Sequence, residues 1–230
     1  MCVGLKYRDH AAEGGRAAPV RPLLFGKFAN AVTADGAPIV RPKGTKALDL
    51  DVELGGVIGS PARRVRRENA LSHVAGYVVV NDVSARDWQG VKAALVEGEV
   101  GDGQWLRAKS SDTFLPVGPA FVDAEEIADP QRLRLRSWRI PGAGADAGRA
   151  ILMQDGTTAD MIWGVAELIE FISGAITLDP GDIIATGTPS GVCVFRDPPV
   201  CLQQGDRARC EIAGIGSVEN PVIDWSDHDG

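Results

Sequence analysis

Three acids at alternating positions are the first candidates for chemistry in this chain. In LDLDVELGGVIG, residues 48–59, the carboxylates of Asp49, Asp51 and Glu53 are two residues apart. Side chains two apart in a β-strand point to one side, so the three carboxylates would share a face. Hard divalent cations such as Mg²⁺ and Mn²⁺ take oxygen ligands of this kind. The stretch therefore predicts either a solvent-facing acidic strand or part of a metal site.

Asp82 is the candidate for a third carboxylate ligand. It closes the apolar run VVVND, which is typical of a buried strand. The three histidines (His10, His73 and His228) do not have metal-ligand spacing with one another. The sequence therefore favours a hard cation over zinc.

A histidine and a glutamate three residues apart in YRDHAAE, residues 7–13, form the next candidate. On one helical turn the Glu13 carboxylate can accept a hydrogen bond from the His10 imidazole. Such a pair is a general base, because the carboxylate fixes the tautomer and the other ring nitrogen takes a proton. An ordinary surface helical turn would show the same spacing.

Two further stretches indicate anion binding. Lys109 lies in WLRAKSSDTFLPVGP among large apolar residues, where an ammonium either reaches the surface or pairs with an anion. In ATGTPSGV, residues 185–192, glycines and hydroxyls such as that of Thr188 would let backbone N–H groups approach a carboxylate. The alternatives are a surface lysine and a tight structural turn. The turn is neither a Walker loop nor a GxSxG elbow.

Strands dominate among the elements that must position these groups. Patterning predicts a mainly β fold with a few helices, an α+β class. One helix is predicted to start at Thr158 or Asp160 and to end at Gly174, and a short one to cover 68–73. The segment 114–122 carries two prolines, so it is unsuited to a central strand. Strands are predicted over 48–58 and 133–140 and within 76–85. A short strand between two turns is predicted in 179–189, a turn followed by a strand in 203–216, and exposed loops over 96–104 and 140–150.

Composition limits the classes of function. The chain has 230 residues, a net charge of −7 and 44% hydrophobic residues, which is typical of a globular protein. The negative charge argues against binding to nucleic acid or to an anionic membrane. No signal peptide and no membrane-length apolar run is visible, so we expect a cytoplasmic protein. The four cysteines lack metal spacing and are expected to be reduced thiols.

Taken in order, the motifs are far more specific than any one alone. The chain resembles the fumarylacetoacetate hydrolase family over about residues 2–222, through CVGLKYRDHAAE, LDLDVELGGVIG, VAGYVVVNDVSARDWQ, QWLRAKSSDTFLPVGP, DMIWGVAELIEFIS and LDPGDIIATGTPSGV. The resemblance implies one catalytic domain over residues 1–230, a mixed β-roll and a homodimer. It implies Mg²⁺, or Mn²⁺ or Ca²⁺, held by Asp51, Glu53 and Asp82. It also implies catalysis by His10, Glu13 and Lys109, and substrate contacts from Gln89 and Thr188.

The activity implied by this resemblance is hydrolysis of a C–C bond in a small acylpyruvate or 1,3-diketo acid. A 2-oxo acid decarboxylase, and an isomerase of the 2-hydroxyhepta-2,4-diene-1,7-dioate type, would use the same site. A metal-stabilised scaffold without activity is the alternative of another class. Two departures bear on the choice: Asp51 stands where the family usually has Glu, and Lys6 where it commonly has Asn. Asp49 matches no family ligand and is expected to be either a structural acid or an acid that supports the metal ligands from behind.

Overall fold

The computed structural model describes residues 1–15, 17–95, 101 and 103–225. In this part of the chain strands predominate over short helices. The strands are β1 (Cys2–Gly4), β2 (Leu23–Phe25), β3 (Val32–Ala34), β4 (Ile39–Arg41), β5 (Leu48–Asp49), β6 (Val52–Ile58), β7 (Val74–Asn81), β8 (Ser84–Ala85), β9 (Leu115–Val117), β10 (Val122–Asp123), β11 (Arg134–Ile140), β12 (Ile151–Thr157), β13 (Ile183–Ala185), β14 (Arg207–Ile212) and β15 (Gly216–Asp224). The α-helices are α1 (Arg8–Glu13), α2 (Arg67–Ala70), α3 (Arg86–Gln89), α4 (Trp105–Lys109) and α5 (Val165–Ser173).

The strands form a large mixed sheet and a smaller one. The large sheet has the order β2-β1-β13-β6-β7-β9-β3, with β10 also paired to β7. The smaller sheet has the order β12-β11-β14-β15-β4, and β5 and β8 make a separate pair. Strands β14 and β15 pack on β7, and β11 packs on β6, so the core lies between the two sheets. The predicted fold class, mainly β with a few helices, is confirmed.

The centre of the large sheet is the antiparallel pair β6 and β7. Both strands are apolar almost throughout and nearly every residue is buried, as expected when both faces of a strand are covered. Their register places Val52 opposite Asn81. The next residues therefore also meet, and the Asp82 N–H donates to the Asp51 carbonyl at 2.9 Å.

The predicted single strand over 48–58 is wrong in its middle. Strand β5 ends at Asp49 and pairs with β8, whereas β6 begins at Val52 and pairs with β7. The chain changes partner at Leu50 and Asp51, which simple alternation cannot reveal. Asp49, Asp51 and Glu53 are each at most 2% exposed, so the solvent-facing acidic strand is excluded.

The predicted helix also begins later than expected. Thr158–Asp160 is a separate 3-10 turn, and α5 starts after Gly164, whose N–H donates to the Glu167 carboxylate at 2.6 Å. The predicted end at Gly174 is confirmed. In the described ranges no helix is long and apolar enough to cross a membrane.

Three smaller predictions have mixed outcomes. The short helix over 68–73 is confirmed as α2 followed by a 3-10 turn. The loop after Ile140 is exposed as predicted, whereas most of the loop predicted over 96–104 lies outside the described residues. Strand β9 carries Pro116 but pairs with both β3 and β7, so the expectation against an internal strand is wrong.

The expectation of four reduced thiols is wrong for two of them. Cys193 and Cys201 form a disulfide, with their Cα atoms 4.8 Å apart. Cys2 and Cys210 are free and buried, as expected. The pairing depends on a loop that returns to its own start, which no cysteine spacing motif encodes.

Candidate active site

Two neighbouring strands bring three carboxylates to one cavity of about 260 Å³. Asp51 directly precedes β6, Glu53 is the second residue of β6, and Asp82 directly follows β7. All three side chains line the cavity and are almost fully buried. The register of the two central strands therefore brings the three predicted carboxylates to the lining of one cavity.

Three cations surround these carboxylates. The Lys109 ammonium, at the end of α4, lies 2.7 Å from Asp82 Oδ2 and 3.4 Å from Asp51 Oδ2. Arg86, at the start of α3, donates to Asp51 Oδ1 at 2.5 Å. Lys27 Nζ lies 2.7 Å from Asp82 Oδ1 and donates to the carbonyls of Val83, Lys109 and Phe114. The buried negative charge is thus largely compensated within the protein.

Sequence reasoning missed Arg86 and Lys27. Arg86 lies in the motif NDVSARD, which the sequence analysis singled out, but its pairing with Asp49 and Asp51 was not predicted. Lys27 carries no signal of its own, because its partners are 55 to 87 residues further along the chain and meet it only in the folded state.

The charges shift one another's ionisation in opposite directions. Burial alone would raise the pKa of Asp82, but Lys109 and Lys27 outweigh it and hold this pKa below its usual value. Burial raises the pKa of Glu53 well above its usual value, and the nearby Asp82 adds to the effect. Burial would lower the pKa of Lys109, yet Asp82 and Asp51 raise it. Asp82 is therefore held as an anion beside the Lys109 ammonium.

Asp49 occupies a different position from the other two acids of its stretch. Its carboxylate accepts from Arg86 Nε at 2.9 Å and from the backbone N–H of Cys193 at 3.0 Å. Burial raises its pKa to about 6, although Arg86 opposes this shift. It does not line the cavity. Its contacts connect β5, α3 and the disulfide loop, and they reach the Asp51 carboxylate through Arg86.

Helix α1 carries the predicted base pair. His10 Nδ1 lies 2.6 Å from Glu13 Oε1, and His10 lines the cavity. With Nδ1 committed to the carboxylate, Nε2 is the ring nitrogen that can exchange a proton with a substrate.

Two acids of helix α1, Asp9 and Glu13, accept hydrogen bonds from the TGTPSG turn and form a latch between the helix and the turn. Asp9 Oδ2 accepts from Ser190 Oγ at 2.6 Å and from the Ser190 N–H at 3.2 Å. Glu13 Oε2 accepts from the Gly191 N–H at 2.9 Å. Gly191 has a φ of +108°, and an added Cβ would lie 2.2 Å from the Met153 carbonyl oxygen. No other residue fits this latch without distortion.

The two predicted substrate contacts also line the cavity. Thr188 Oγ1 donates to the Val52 carbonyl at 3.0 Å and accepts from Gln154 Nε2 at 2.7 Å. Gln89 Oε1 accepts from Arg86 at 3.3 Å. The Thr188 hydroxyl proton is thus used inside the protein, which sequence reasoning did not anticipate.

The carboxylates fit a hard cation in their chemistry. Within the described ranges no three acidic, histidine or cysteine side chains are already arranged around one point as metal ligands would be. The Lys109 ammonium lies instead against Asp51 and Asp82, where it acts as a stand-in cation. Burial raises the pKa of Glu53 well above its usual value, which marks a buried carboxylate that a nearby cation would ionise. Oxygen donors of this kind suit Mg²⁺ or Mn²⁺.

The remaining departure, Lys6, lies beside the site and not in it. Its side chain is fully buried, Nζ has no hydrogen-bond partner, and it does not line the cavity. Burial lowers its pKa to about 7, with Glu53 and Glu167 opposing the shift. A Cβ added at Gly187 would lie 2.7 Å from Lys6 Cβ, so the lysine stem packs against the TGTPSG turn.

The described chain thus combines a mixed-strand fold with three buried carboxylates and the His10–Glu13 pair at one cavity. The family model "Fumarylacetoacetate (FAA) hydrolase C-terminal" matches residues 1–223. The chain therefore belongs to the fumarylacetoacetate hydrolase family, and its strands form the curled half-barrel sheet typical of that fold.

Named relatives include tautomerases, isomerases and hydrolases. The chain is 41% identical over 223 residues to the protein "Oxaloacetate tautomerase fahd2, mitochondrial" of Xenopus laevis, covering 97% of this chain and 65% of that one. It is similar to the crystal structure of 2-hydroxyhepta-2,4-diene-1,7-dioate isomerase from Mycobacterium marinum, with a TM-score of 0.77, 36% identity and 97% and 73% coverage. The fumarylacetoacetate hydrolase of Exiguobacterium antarcticum gives a TM-score of 0.80 at 36% identity, with 97% and 74% coverage. The chain thus spans slightly less than two thirds of the length of this curated relative.

Proposed function

We propose that this protein is a divalent-cation-dependent enzyme that interconverts the keto and enol forms of a small 2-oxo acid. The observation that carries the proposal is the His10–Glu13 pair, whose imidazole lines the same cavity as three buried carboxylates and Lys109. Curated relatives named as tautomerases support tautomerisation ahead of hydrolysis.

Asp51, Glu53 and Asp82 would hold the ion, which is Mg²⁺ in this proposal, with Mn²⁺ or Ca²⁺ as substitutes. When bound, the ion supplies Lewis acidity toward the carboxylate and 2-oxo oxygens of the substrate. Lys27 and Arg86 keep two of these carboxylates in place through the ion pairs described above. They stay behind the ligands and fix their orientation.

The chain's own groups move the proton. His10 Nε2 removes a proton from C3 of the substrate, and the C–H electron pair forms the C2–C3 double bond of the enolate. The carbonyl oxygen then takes a proton from the Lys109 ammonium or from water, which completes the enol. Glu13 holds the imidazole and stabilises its charged form. The Lys109 ammonium favours the enolate, because it places a positive charge beside the developing negative oxygen.

Hydrolysis of a C–C bond in an acylpyruvate or 1,3-diketo acid is the second candidate. It is favoured by the same observation, because a carboxylate-supported imidazole is what attack by water on a distal carbonyl requires. Cleavage would leave the same enolate beside Lys109. Decarboxylation shares the enolate but has no use for a base at His10.

Three further proposals accompany the activity: a single catalytic domain over residues 1–230, a cytoplasmic location and a homodimer. Edge strand β3 exposes Val32, and Phe28 just before it is 59% exposed. Exposed apolar side chains at a sheet edge support self-association. Light scattering on the purified chain decides the dimer, and a monomer at micromolar concentration would overturn it.

The activity is tested by following the ultraviolet absorbance of the enol forms of a 2-oxo acid panel. Wild type should lose turnover in EDTA and regain it with Mg²⁺. His10→Ala should lower kcat by about 10²-fold or more. His73→Ala is the control, since His73 contacts Ser60 and lies outside the cavity lining.

Each part of the proposal can be refuted by a separate result. Full turnover in EDTA refutes the metal, and full turnover of His10→Ala refutes the base. A bound ion with no turnover on any 2-oxo acid would identify the non-catalytic scaffold.

A further inference from the structure

Two apolar walls line the cavity beside its charged residues. The first consists of Phe25 and Trp105, whose ring centroids are 5.7 Å apart in an edge-to-face contact. The Lys109 ammonium lies 5.1 Å from the Phe25 centroid. This wall therefore adjoins the group that would face the enolate oxygen, and any substituent beyond that oxygen meets aromatic carbon.

The second wall consists of Val194 and Phe195, in the loop of the disulfide. Its base is fixed twice, by the bond from Cys193 to Cys201 and by the Cys193 N–H donating to Asp49. The Phe195 ring reaches the end of α1, where a Cβ added at Gly14 would lie 3.4 Å from it. The wall is thus anchored at one end and touches the helix of the base pair at the other.

Few cations are available for a second carboxylate of the substrate. Of the lysines and arginines in the described residues, Arg86 and Lys109 line the cavity. Each already contacts two carboxylates of the protein. A carboxylate on C3 of a short substrate would lose water and gain no described cation of its own.

We propose that the cavity selects 2-oxo acids with one carboxylate and an apolar substituent on C3, and disfavours short dicarboxylates such as oxaloacetate. Phe195 is the specificity-determining residue, because it forms the outer wall and is the lining side chain that faces both the cavity and solvent at 37% exposure. This inference rests on the proposed function, and it separates the chain from relatives named for oxaloacetate.

The test compares phenylpyruvate with oxaloacetate, which differ in carrying a ring or a carboxylate on C3. Wild type should show a kcat/KM for tautomerisation at least about tenfold higher for phenylpyruvate. Phe195→Arg should lower this ratio at least about tenfold, since it replaces the ring with a cation. Phe195→Leu should keep it. Phe171→Arg is the matched control, an exposed phenylalanine on α5 outside the cavity lining.

Equilibrium binding keeps the inference separate from turnover. Calorimetry with Mn²⁺ compares N-phenyloxamate with N-(carboxymethyl)oxamate, two unreactive analogues that present a ring or a carboxylate. Tighter binding of the phenyl analogue to wild type, reversed in Phe195→Arg, supports the inference even if neither 2-oxo acid turns over. Tighter binding of the carboxymethyl analogue, or a ratio that Phe195→Arg leaves unchanged, overturns it, whether or not the enzyme is active.

Discussion

Replacing Lys6 with methionine is expected to stabilise the metal-free protein. The Lys6 ammonium is fully buried and has no hydrogen-bond partner, and its pKa is lowered from 10.5 to about 7 by burial. Methionine has a similar unbranched length and can fill the space along the TGTPSG turn. It removes the charge without opening a large cavity.

The size of the effect follows from the pKa shift. A drop from 10.5 to about 7 corresponds to roughly 5 kcal/mol of destabilisation at about 1.36 kcal/mol per pKa unit. Local relaxation screens part of a buried charge, so we expect Lys6→Met to gain about 2–5 kcal/mol at pH 7. Between the folded and unfolded pKa the unfolded chain binds more protons, so wild type gains stability as pH rises. The destabilisation is complete below about pH 7 and absent above pH 10.5, so the gain shrinks toward pH 10.

Urea unfolding in EDTA at pH 7, 8 and 9 measures this difference. Lys43→Met is the control, because it removes an exposed lysine and should change stability by less than about 0.5 kcal/mol. A Lys6→Met protein that is less stable than wild type would refute the reasoning. A gain that stays constant from pH 7 to pH 9 would refute the assignment to the buried charge.

Two further predictions concern the supports of the site. Ser190→Ala removes the 2.6 Å bond to Asp9 and should lower kcat/KM about tenfold while Mg²⁺ affinity stays unchanged. Kinetics and calorimetry check this, and an altered Mg²⁺ affinity with normal kcat/KM would contradict the latch. Cys201→Ser opens a loop with a sequence separation of 8 and should destabilise the oxidised protein by about 2–3 kcal/mol. In the presence of reductant the urea midpoints of wild type and Cys201→Ser should coincide. Equal midpoints of the two proteins without reductant would contradict the disulfide.

The sequence was informative where local pattern and tertiary contact agree. The apolar runs of β6 and β7 predicted their burial, and the acids at their ends could be expected to meet because antiparallel neighbours place them side by side. The His10–Glu13 pair was readable because three residues along a helix is contact distance.

The sequence was uninformative where partners are distant in the chain. Lys27 pairs with Asp82 across 55 residues, and nothing near Lys27 indicates that partner. The break between β5 and β6 falls inside a regular alternation, because pairing with β8 overrides the local pattern. Helix α5 starts later than predicted because the Glu167 carboxylate caps the Gly164 N–H. Met161 fits the helical spacing of the apolar residues, so the pattern placed the start of the helix too early.

The proposed activity depends on one divalent cation held by the carboxylates of Asp51, Glu53 and Asp82. Titration of the EDTA-treated protein with Mn²⁺, followed by electron paramagnetic resonance, tests it most directly. Wild type should bind one ion, and Asp82→Asn should bind at least about tenfold more weakly. The control is Asp49→Asn, because Asp49 is buried and contacts Arg86, as Asp51 does, but lies outside the cavity lining. This variant should still bind Mn²⁺, and circular dichroism checks that it is folded. Equal Mn²⁺ binding by wild type and Asp82→Asn would contradict the account.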